Sequence, residues 1–279
     1  MNGFVRLLRI GAVALAAAAI APSARAQSTP QPKPEMRRQC PGLVASQPAL
    51  MPAALNVAAL NPDQVRITFV GHATFEIESP QGVRIATDYN DFVRPPVLPD
   101  IATMNHAHLT HYTDNPDPGI KYVLRGWSDT PGKPKIWDLQ YRDVRVRNVP
   151  TNIRDGLGGT DYYGNSIFVF EIANLCIAHL SHLHHTLTQQ QLDDIGRVDV
   201  VMAPVDGFYT LDLDGMMEVL TALKAPLVIP MHFFNQAALE RFLDRAQGQW
   251  DIERAAAPTI VVSKTTLPAK PKVLVLPGH

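Results

Sequence analysis

Residues 101–111 read IATMNHAHLTH, a short apolar run that is followed at once by three closely spaced histidines. The run 101–104 is typical of a buried strand, and His106 and His108 come two positions apart directly after it. Alternate residues of an extended chain point to the same side, so these two imidazoles can bind one ion. His111 can point back from the turn that follows. Since neutral imidazole is the commonest metal ligand, the stretch predicts a metal site at the end of a strand.

The second half of the chain supplies further histidines: His179, His182, His184, His185 and His232. Two of them, His179 and His232, each stand at the end of a predicted strand. Together with His106 and His108, His179 would complete a three-imidazole site with one open position, which is the catalytic pattern for zinc. The alternative is a scatter of surface histidines, and for the remaining three taken alone it is the simpler interpretation.

The hydrophobic pattern around the histidines changes its period along the chain. Strands are predicted at residues 65–70, 74–78, 83–88, 101–104, 144–149, 167–172, 175–179, 198–203, 227–229 and 273–276. Helices are predicted in the second half, at residues 188–195, 212–223 and 236–246. Strands first and strand–helix units later indicate an α/β fold, in which helices lie on the outer faces of β-sheets.

The N-terminus has the three-part layout of a secretory signal peptide. Arg6 and Arg9 give a basic start, residues 10–20 are apolar, and Ala24-Arg25-Ala26 offers a small-x-small cleavage site. We therefore expect residues 1–26 to be a cleaved Sec-type signal peptide, and the mature protein to be periplasmic or secreted, without an integral membrane segment. An uncleaved anchor is the alternative, although the apolar run is shorter than the ~20 residues that span a bilayer.

The rest of the chain divides into a proline-rich segment at residues 27–62 and one domain at residues 63–279. Proline fixes φ and removes a backbone donor, which disfavours regular structure in the first segment. The formal net charge is −1, which argues against nucleic acid as a partner. Export makes a disulfide bond between Cys40 and Cys176 feasible. The alternative is a buried thiol at Cys176 and a free thiol in the leader.

Several motifs, in their order along the chain, resemble those of metallo-β-lactamase-fold hydrolases. They are Gly71-His72-Ala73-Thr74-Phe75, Thr87-Asp88, His106-Ala107-His108-Leu109-Thr110-His111, Ile177-Ala178-His179-Leu180-Ser181-His182, Pro204-Val205-Asp206-Gly207 and Ile229-Pro230-Met231-His232. The resemblance covers about residues 65–265 and is greatest to the ascorbate-phosphate lactonase-like group, with relatives among N-acyl-phosphatidylethanolamine phospholipases. It implies a four-layer αββα sandwich with the metal at one edge of the sheets.

The resemblance also implies roles for individual residues. The first zinc ion would be bound by His106, His108 and His179. The second would be bound in part by His111 and His232. Asp88 would orient a ligand histidine through a hydrogen bond, as metal sites usually require. His72, in the turn after the first predicted strand, is interpreted as a structural histidine.

Two positions depart from the family pattern. Thr110 stands where the motif His-x-His-x-Asp-His has its aspartate, and His182 stands where a bridging aspartate is usual. The second set of ligands then consists of three imidazoles, from His111, His182 and His232. Two dications about 3.5–4 Å apart need negative ligands between them, so a second ion is expected to bind weakly or not at all.

The sequence thus predicts a hydrolase with one or two zinc ions, in which metal-bound hydroxide attacks an ester, lactone, amide or phosphoester of a small molecule. Thr110 would hydrogen-bond near the nucleophile, His184 or His185 would donate a proton to the leaving group, and Tyr209 would line the mouth or stabilise an oxyanion. A solvated loop position for His185 and simple packing for Tyr209 are the alternatives. For the whole protein the alternative is a non-catalytic exported metal-binding protein, with redox chemistry at iron as a more distant choice.

Overall fold

The computed structural model describes residues 59–130, 132–155 and 158–278. The predicted signal peptide, most of the proline-rich segment and Cys40 lie outside the described residues. Signal cleavage and a bond between Cys40 and the fully buried Cys176 therefore stay predictions. Within the described ranges we find no helix that combines the length and the apolarity of a bilayer-spanning segment.

The described residues form two β-sheets. The first sheet has the strand order β13-β1-β2-β3-β4-β5 and comprises β1 (Val65–Gly71), β2 (Thr74–Glu78), β3 (Arg84–Ala86), β4 (Ile101–Met104), β5 (Tyr122–Arg125) and β13 (Thr259–Val262). The second has the order β12-β14-β11-β10-β9-β8-β7-β6 and comprises β6 (Asp138–Tyr141), β7 (Val144–Arg154), β8 (Thr160–Ile172), β9 (Leu175–His179), β10 (Val200–Pro204), β11 (Leu227–Met231), β12 (Asp251–Arg254) and β14 (Lys272–Val275).

Both sheets are mixed. The hairpin of β1 and β2 is antiparallel, whereas β3, β4 and β5 run parallel to one another. In the second sheet, β6 to β9 form an antiparallel meander, and β9, β10, β11 and β14 run parallel. The parallel strands β9, β10 and β11 are buried along their whole length. Strands that are covered on both faces read as continuous apolar runs, which is why these three were predictable.

Successive residues of the second sheet face two different cores. In β8, Phe168 and Phe170 pack between the sheets, whereas Ile167 and Val169 pack on the opposite side. This alternation follows from the two-residue period of a strand. One core therefore joins the two sheets and the other joins the second sheet to the helices.

Three helices cover the outer face of the second sheet: α1 (Gln189–Ile195), α2 (Leu213–Leu223) and α3 (Gln236–Ala246). Each begins at a side-chain cap, which is Thr188, Asp212 or Asn235. These caps accept hydrogen bonds from backbone N–H groups that have no partner within the helix. The helices of the predicted α/β sandwich are thus present, on one side of it.

The outer face of the first sheet is covered by loops. Within the described residues, loops that flank β4 pack there, with Tyr89, Met104 and Ile120 in a small apolar cluster. These loops, at residues 87–100 and 105–121, contain five prolines. Because proline removes a backbone donor and clashes with the preceding turn, the segments cannot continue as helices.

The two sheets bring several strand ends to one edge of the sandwich. His232, after β11, donates its backbone N–H to the carbonyl of His72 at 2.8 Å, so the loops of the two sheets are directly joined there. Four non-glycine residues at this edge have positive φ: His72, Asp88, Ser181 and His232. Such residues cost about 1–3 kcal/mol each and persist where the surrounding structure holds them, often at functional sites.

Candidate metal centre

Four histidines meet at this edge: His108, His111, His182 and His232. They come from three loops, which follow β4, β9 and β11, and one ring nitrogen of each lies within 4.8 Å of the others. Three are buried and His108 is exposed. The group is capable of holding a metal ion, because imidazole nitrogen is a common metal ligand. The space between these four ring nitrogens is called the centre below.

His111 and His232 are fixed in the same way, each by a carboxylate. The Nδ1 atom of His111 lies 2.5 Å from Oδ2 of Asp88, and Nδ1 of His232 lies 2.9 Å from Oδ2 of Asp206. A carboxylate accepts, so each Nδ1 carries the proton and each Nε2 carries a lone pair. Both Nε2 atoms are buried without a hydrogen-bond partner among the described residues. Buried polar atoms are seldom left in that state unless they await an ion or a water molecule.

Asp88 is fully buried beneath the cluster. Burial raises the pKa of its carboxyl group, and hydrogen bonds from Ser181 and Asn105 oppose that effect. Asn105 donates to Oδ1 at 3.0 Å, and the Ser181 hydroxyl donates to Oδ2 at 2.6 Å. Asp88 therefore holds the loops after β4 and β9 as well as the ring of His111.

Asp206 joins a ligand histidine to a neighbouring loop. Burial would raise the pKa of this carboxyl group, but hydrogen bonds from His232 and Thr210 outweigh it and hold the pKa below its usual range. Its Oδ1 also accepts the backbone N–H groups of Phe208 and Tyr209, at 2.8 and 2.5 Å. The group is thus an ionised carboxylate one hydrogen bond away from the centre.

One backbone N–H group, that of Arg154, determines which ring nitrogen carries the proton in His184, His182 and His108. The N–H of Arg154 donates to Nδ1 of His184 at 2.6 Å, so the proton of neutral His184 sits on Nε2. That Nε2 lies 2.5 Å from Nδ1 of His182, which must accept. The proton of His182 is then on Nε2, and it donates to Nε2 of His108 at 2.9 Å.

The chain of hydrogen bonds continues through a hydroxyl. His108 carries its proton on Nδ1 and donates to Oγ1 of Thr110 at 2.8 Å, and the Thr110 hydroxyl donates to Nε2 of His72 at 3.0 Å. Two Nε2 lone pairs, those of His111 and His232, are therefore directed at the centre without a partner, and the Nε2 lone pair of His108 accepts the hydrogen bond from His182. At His182 an N–H group takes that position instead.

Burial keeps these rings neutral. Loss of hydration lowers the pKa of His111 and His182 far below the usual range, and mutual repulsion with neighbouring histidines adds to the effect. Burial and the nearby His232 lower the pKa of His72 to about 4, and burial with Arg154 lowers that of His184 to about 4. The pKa of His108 is also lowered, chiefly by burial. At neutral pH these five rings are uncharged, which suits the site to a cation.

The predicted triplet of His106, His108 and His179 does not come together. His106 is exposed, stacks on Trp127 with ring centroids 5.0 Å apart, and lies 3.9 Å from Asp161. The chain leaves the strand at Met104 and bends through residues 106–108. The rule that alternate residues share a side applies to extended chain, so it fails at these two histidines.

His179 lies deeper than its predicted role requires. Its side chain is fully buried between the sheets, where Nε2 donates to the carbonyl of Ala73 at 2.8 Å and the ring edge meets Phe75. It remains the last residue of β9, paired with Phe168 across the sheet. The predicted set of His111, His182 and His232 is brought together, joined by His108.

The remaining candidates lie around the cluster. Thr110 links His108 to His72 and lies beside the centre, and the half-buried His72 ring is 4.2 Å from that of His232. His185 lies behind His184, with ring centroids 6.4 Å apart, and is outside the group of four. Asp206 was not predicted as a site residue. The feature of the sequence that could have identified it is an acidic residue that closely follows the apolar run of β10.

A cavity of about 690 Å³ opens beside the four histidines. It is lined by His108 and Asp206 of the site and by three aromatic residues, Phe208, Tyr209 and Phe234. Cavities of this size hold small organic molecules. Tyr209 thus lines the cavity beside the site, and its predicted role there stays a prediction.

Comparisons with known proteins agree with this architecture. The family model described as the beta-lactamase superfamily domain matches residues 66–232, which is more than half of the chain. A UPF0173 metal-dependent hydrolase of Thermoplasma volcanium is 25% identical over 204 residues, which cover 61% of this chain and 83% of that protein. A protein of the same name from Methanoculleus marisnigri is 26% identical over 196 residues, 64% of this chain and 86% of that protein.

Solved structures show the same fold. A Thermotoga maritima protein, provisionally described as a Zn-dependent hydrolase of the metallo-β-lactamase superfamily, is 28% identical and superposes with a TM-score of 0.56. The match covers 77% of this chain and all of that one. The family match, the relatives and the shared two-sheet architecture lead to one conclusion: this chain belongs to the β-lactamase superfamily.

Proposed function

We propose that the protein is an exported metal-dependent hydrolase that binds one ion, zinc by preference, through His108, His111 and His232. His182 would be a hydrogen-bond donor beside the ion. The observation that carries the proposal is the pair of buried, unpartnered Nε2 atoms on His111 and His232, each backed by a carboxylate. This pairing of a ligand imidazole with a carboxylate is the usual outer arrangement of metal-binding histidines.

The charges around the cluster support a cation. Burial lowers the pKa of His108 and of His111, so these two rings bring no positive charge into the centre. Asp88 and Asp206 each touch a ligand ring and place negative charge one hydrogen bond away. Three imidazoles with an open position fit zinc, and an all-nitrogen set also fits copper or nickel. A single ion is favoured because no carboxylate enters the centre to separate two dications.

When bound, the ion would supply Lewis-acid activation of water for hydrolysis. The protein's own groups would do the rest. The Nε2–H of His182 donates to Nε2 of His108 in this structure. Once His108 bound the ion, that N–H group would be free to donate to an oxygen atom of the substrate that gains negative charge. His184 and the Arg154 backbone hold that tautomer in place. The aromatic side of the cavity would exclude water from the reacting bond.

The comparisons support the reaction class, since several relatives carry the name metal-dependent hydrolase. Export rests on the signal-peptide pattern of residues 1–26. An ester, lactone, amide or phosphoester of a small molecule is what this chemistry would act on.

A second candidate function is a non-catalytic metal-binding protein. It is favoured by one observation: the ring nitrogens of all four histidines lie within 4.8 Å of one another. If His182 changed tautomer and also bound the ion, a closed four-imidazole shell would result. Closed tetrahedral shells are typical of structural zinc, because no position remains for a substrate.

Zinc binding and turnover, measured in a set of variants, distinguish the two proposed functions. The purified mature chain is titrated with zinc by calorimetry and then assayed against 4-nitrophenyl esters, lactones and bis(4-nitrophenyl) phosphate. The hydrolase should bind one ion and lose it in His111→Ala. His182→Ala should keep the ion but lose turnover by about 10²–10³-fold, as expected for loss of an oxyanion donor. His106→Ala, the matched control, should leave both unchanged.

The metal-binding alternative gives a different pattern. There, His182→Ala would weaken zinc binding as strongly as His111→Ala does, and the unaltered chain would turn over none of the substrates. Failure of the unaltered chain to bind zinc, copper or nickel would refute both functions.

A further inference from the structure

The cavity beside the histidine cluster has a wall of three aromatic rings. The ring of Phe234 lies 5.2 Å from that of His232 and 5.3 Å from that of Tyr209, which in turn lies 5.2 Å from Phe208. The series therefore runs outward from a proposed metal ligand to the surface. The three side chains are 55–76% exposed, an unusual concentration of exposed rings on one wall.

The loop that carries Phe208 and Tyr209 is held in place from behind. The guanidinium of Arg154 donates to the carbonyls of Phe208, Tyr209 and Thr210, at 3.1, 3.3 and 2.7 Å. Asp206 accepts their backbone N–H groups on the other side. An exposed apolar wall that is fixed at both its backbone faces is a preformed surface, which lowers the entropic cost of binding a ligand.

One cation lies at the far side of the same cavity. Arg241, on α3, lines it together with the aromatic residues. The neighbouring charged residues of α3 already have ion-pair partners: Arg245 pairs with Asp214 at 2.9 Å, and Glu240 pairs with Arg254 at 2.8 Å. In the part of the chain that the structure describes, Arg241 has no ion-pair or hydrogen-bond partner. Its five N–H donors suit a planar carboxylate.

We infer that the cavity selects substrates that have an apolar, preferably aromatic body and a single carboxylate, with Arg241 as the residue that recognises the carboxylate. The inference rests on the proposed function, because it names the substrate class of the same site. The ring series would hold the body, and the scissile group would then lie toward His108.

Binding of two matched ligands tests the charge preference without any need for turnover. We would measure by calorimetry how the zinc-bound full chain binds 3-phenylpropanoate and its neutral isostere 3-phenylpropanamide. The carboxylate should bind more tightly, and Arg241→Gln should weaken it roughly tenfold, the usual effect of losing one charge-assisted hydrogen bond. The same substitution should leave the amide unchanged.

Arg245→Gln is the matched control, since it removes a charge from the same helix outside the cavity. An equal effect of Arg241→Gln and Arg245→Gln would overturn the inference, as would equal weakening of both ligands. If Phe208→Ala changed the molar mass in light scattering but not ligand affinity, a second copy would occupy the wall, which also overturns it. Charge-selective binding without hydrolysis would instead refute only the proposed hydrolase.

Discussion

Asp88 and Asp206 stand out among the residues of the site. The chain lacks both carboxylates that would touch metal in the family pattern, at Thr110 and His182. Two other carboxylates lie one imidazole farther out, against His111 and His232. The negative charge that a dication needs is therefore present, although among the described residues no acidic oxygen is placed to bind the ion. Such outer carboxylates also raise the basicity of the ligand rings.

Replacing these outer carboxylates by amides should weaken metal binding. We expect Asp88→Asn and Asp206→Asn each to lower zinc affinity about 10- to 100-fold, because the ligand tautomer is no longer imposed by a charge. Competition with a chromophoric chelator measures the affinity. Asp161→Asn, beside the exposed His106, is the control and should have no effect. Unchanged affinity in both buried variants would show that the carboxylates serve only the fold.

The buried imidazoles should make the metal-free chain sensitive to acid. Burial lowers the pKa of His72 and of His184 to about 4, against roughly 6.5 in the unfolded chain. As the pH falls below the unfolded value, the unfolded chain takes up protons that the folded chain does not. The free energy of unfolding should therefore decrease as the pH falls from about 6.5 toward about 4, and recover above that window.

Urea titrations in the presence of a chelator, at about pH 7.5 and about pH 5, measure this loss. The pH-dependent part of the loss should shrink in His184→Gln, which removes one of the buried rings. It should persist in His106→Gln, because that ring is exposed. A loss that is identical in both variants would mean that other groups cause it.

At the scale of elements, the loop between β10 and α2 connects the metal site to the cavity. Gly207 has a φ of +71°, and a Cβ atom there would lie 2.7 Å from Cγ of Leu213. Gly207→Ala should destabilise the fold by more than the ~1–2 kcal/mol of a left-handed alanine. Gly248→Ala, also at positive φ but with open space around it, is the matched control for strain alone. Equal urea midpoints for the two variants would contradict the close packing of this loop.

The sequence specified some elements better than others. The buried strands β9, β10 and β11 were predictable because they are short, continuous apolar runs, and all three helices were predictable from their spacing. β6 and β12 were not predicted, since DLQY and DIER are half exposed and carry charges. Their pairing depends on partners that lie elsewhere in the chain, β7 and β14. Tertiary context of this kind leaves no local signal.

The same distinction applies to the site. His111, His182 and His232 were among the predicted ligands, and the structure brings them together with His108. His106 and His179 were assigned to the site from their position at strand ends and from the family resemblance. Whether a side chain at a strand end faces an edge, a core or solvent depends on the bend that follows, which their spacing does not encode.

At the scale of the whole molecule, metal binding should stabilise the entire fold. The cluster joins loops of both sheets, so an ion that binds the folded chain only must raise its free energy of unfolding. At a free zinc concentration 100-fold above Kd the gain is about 2.7 kcal/mol. Thermal unfolding with zinc and with chelator measures it. His232→Ala should abolish the zinc-induced rise in unfolding temperature, whereas His106→Ala should retain it. A rise that is retained in His232→Ala and lost in His106→Ala would contradict the site.

The most direct test is a crystal structure of the zinc-bound chain with anomalous diffraction on both sides of the zinc edge. We predict one anomalous peak, about 2.0–2.1 Å from the Nε2 atoms of His108, His111 and His232, with the Nε2–H of His182 directed at a fourth, non-protein position. A peak that is bound by His106 or His179, or that has a carboxylate oxygen as a ligand, would contradict the proposed centre.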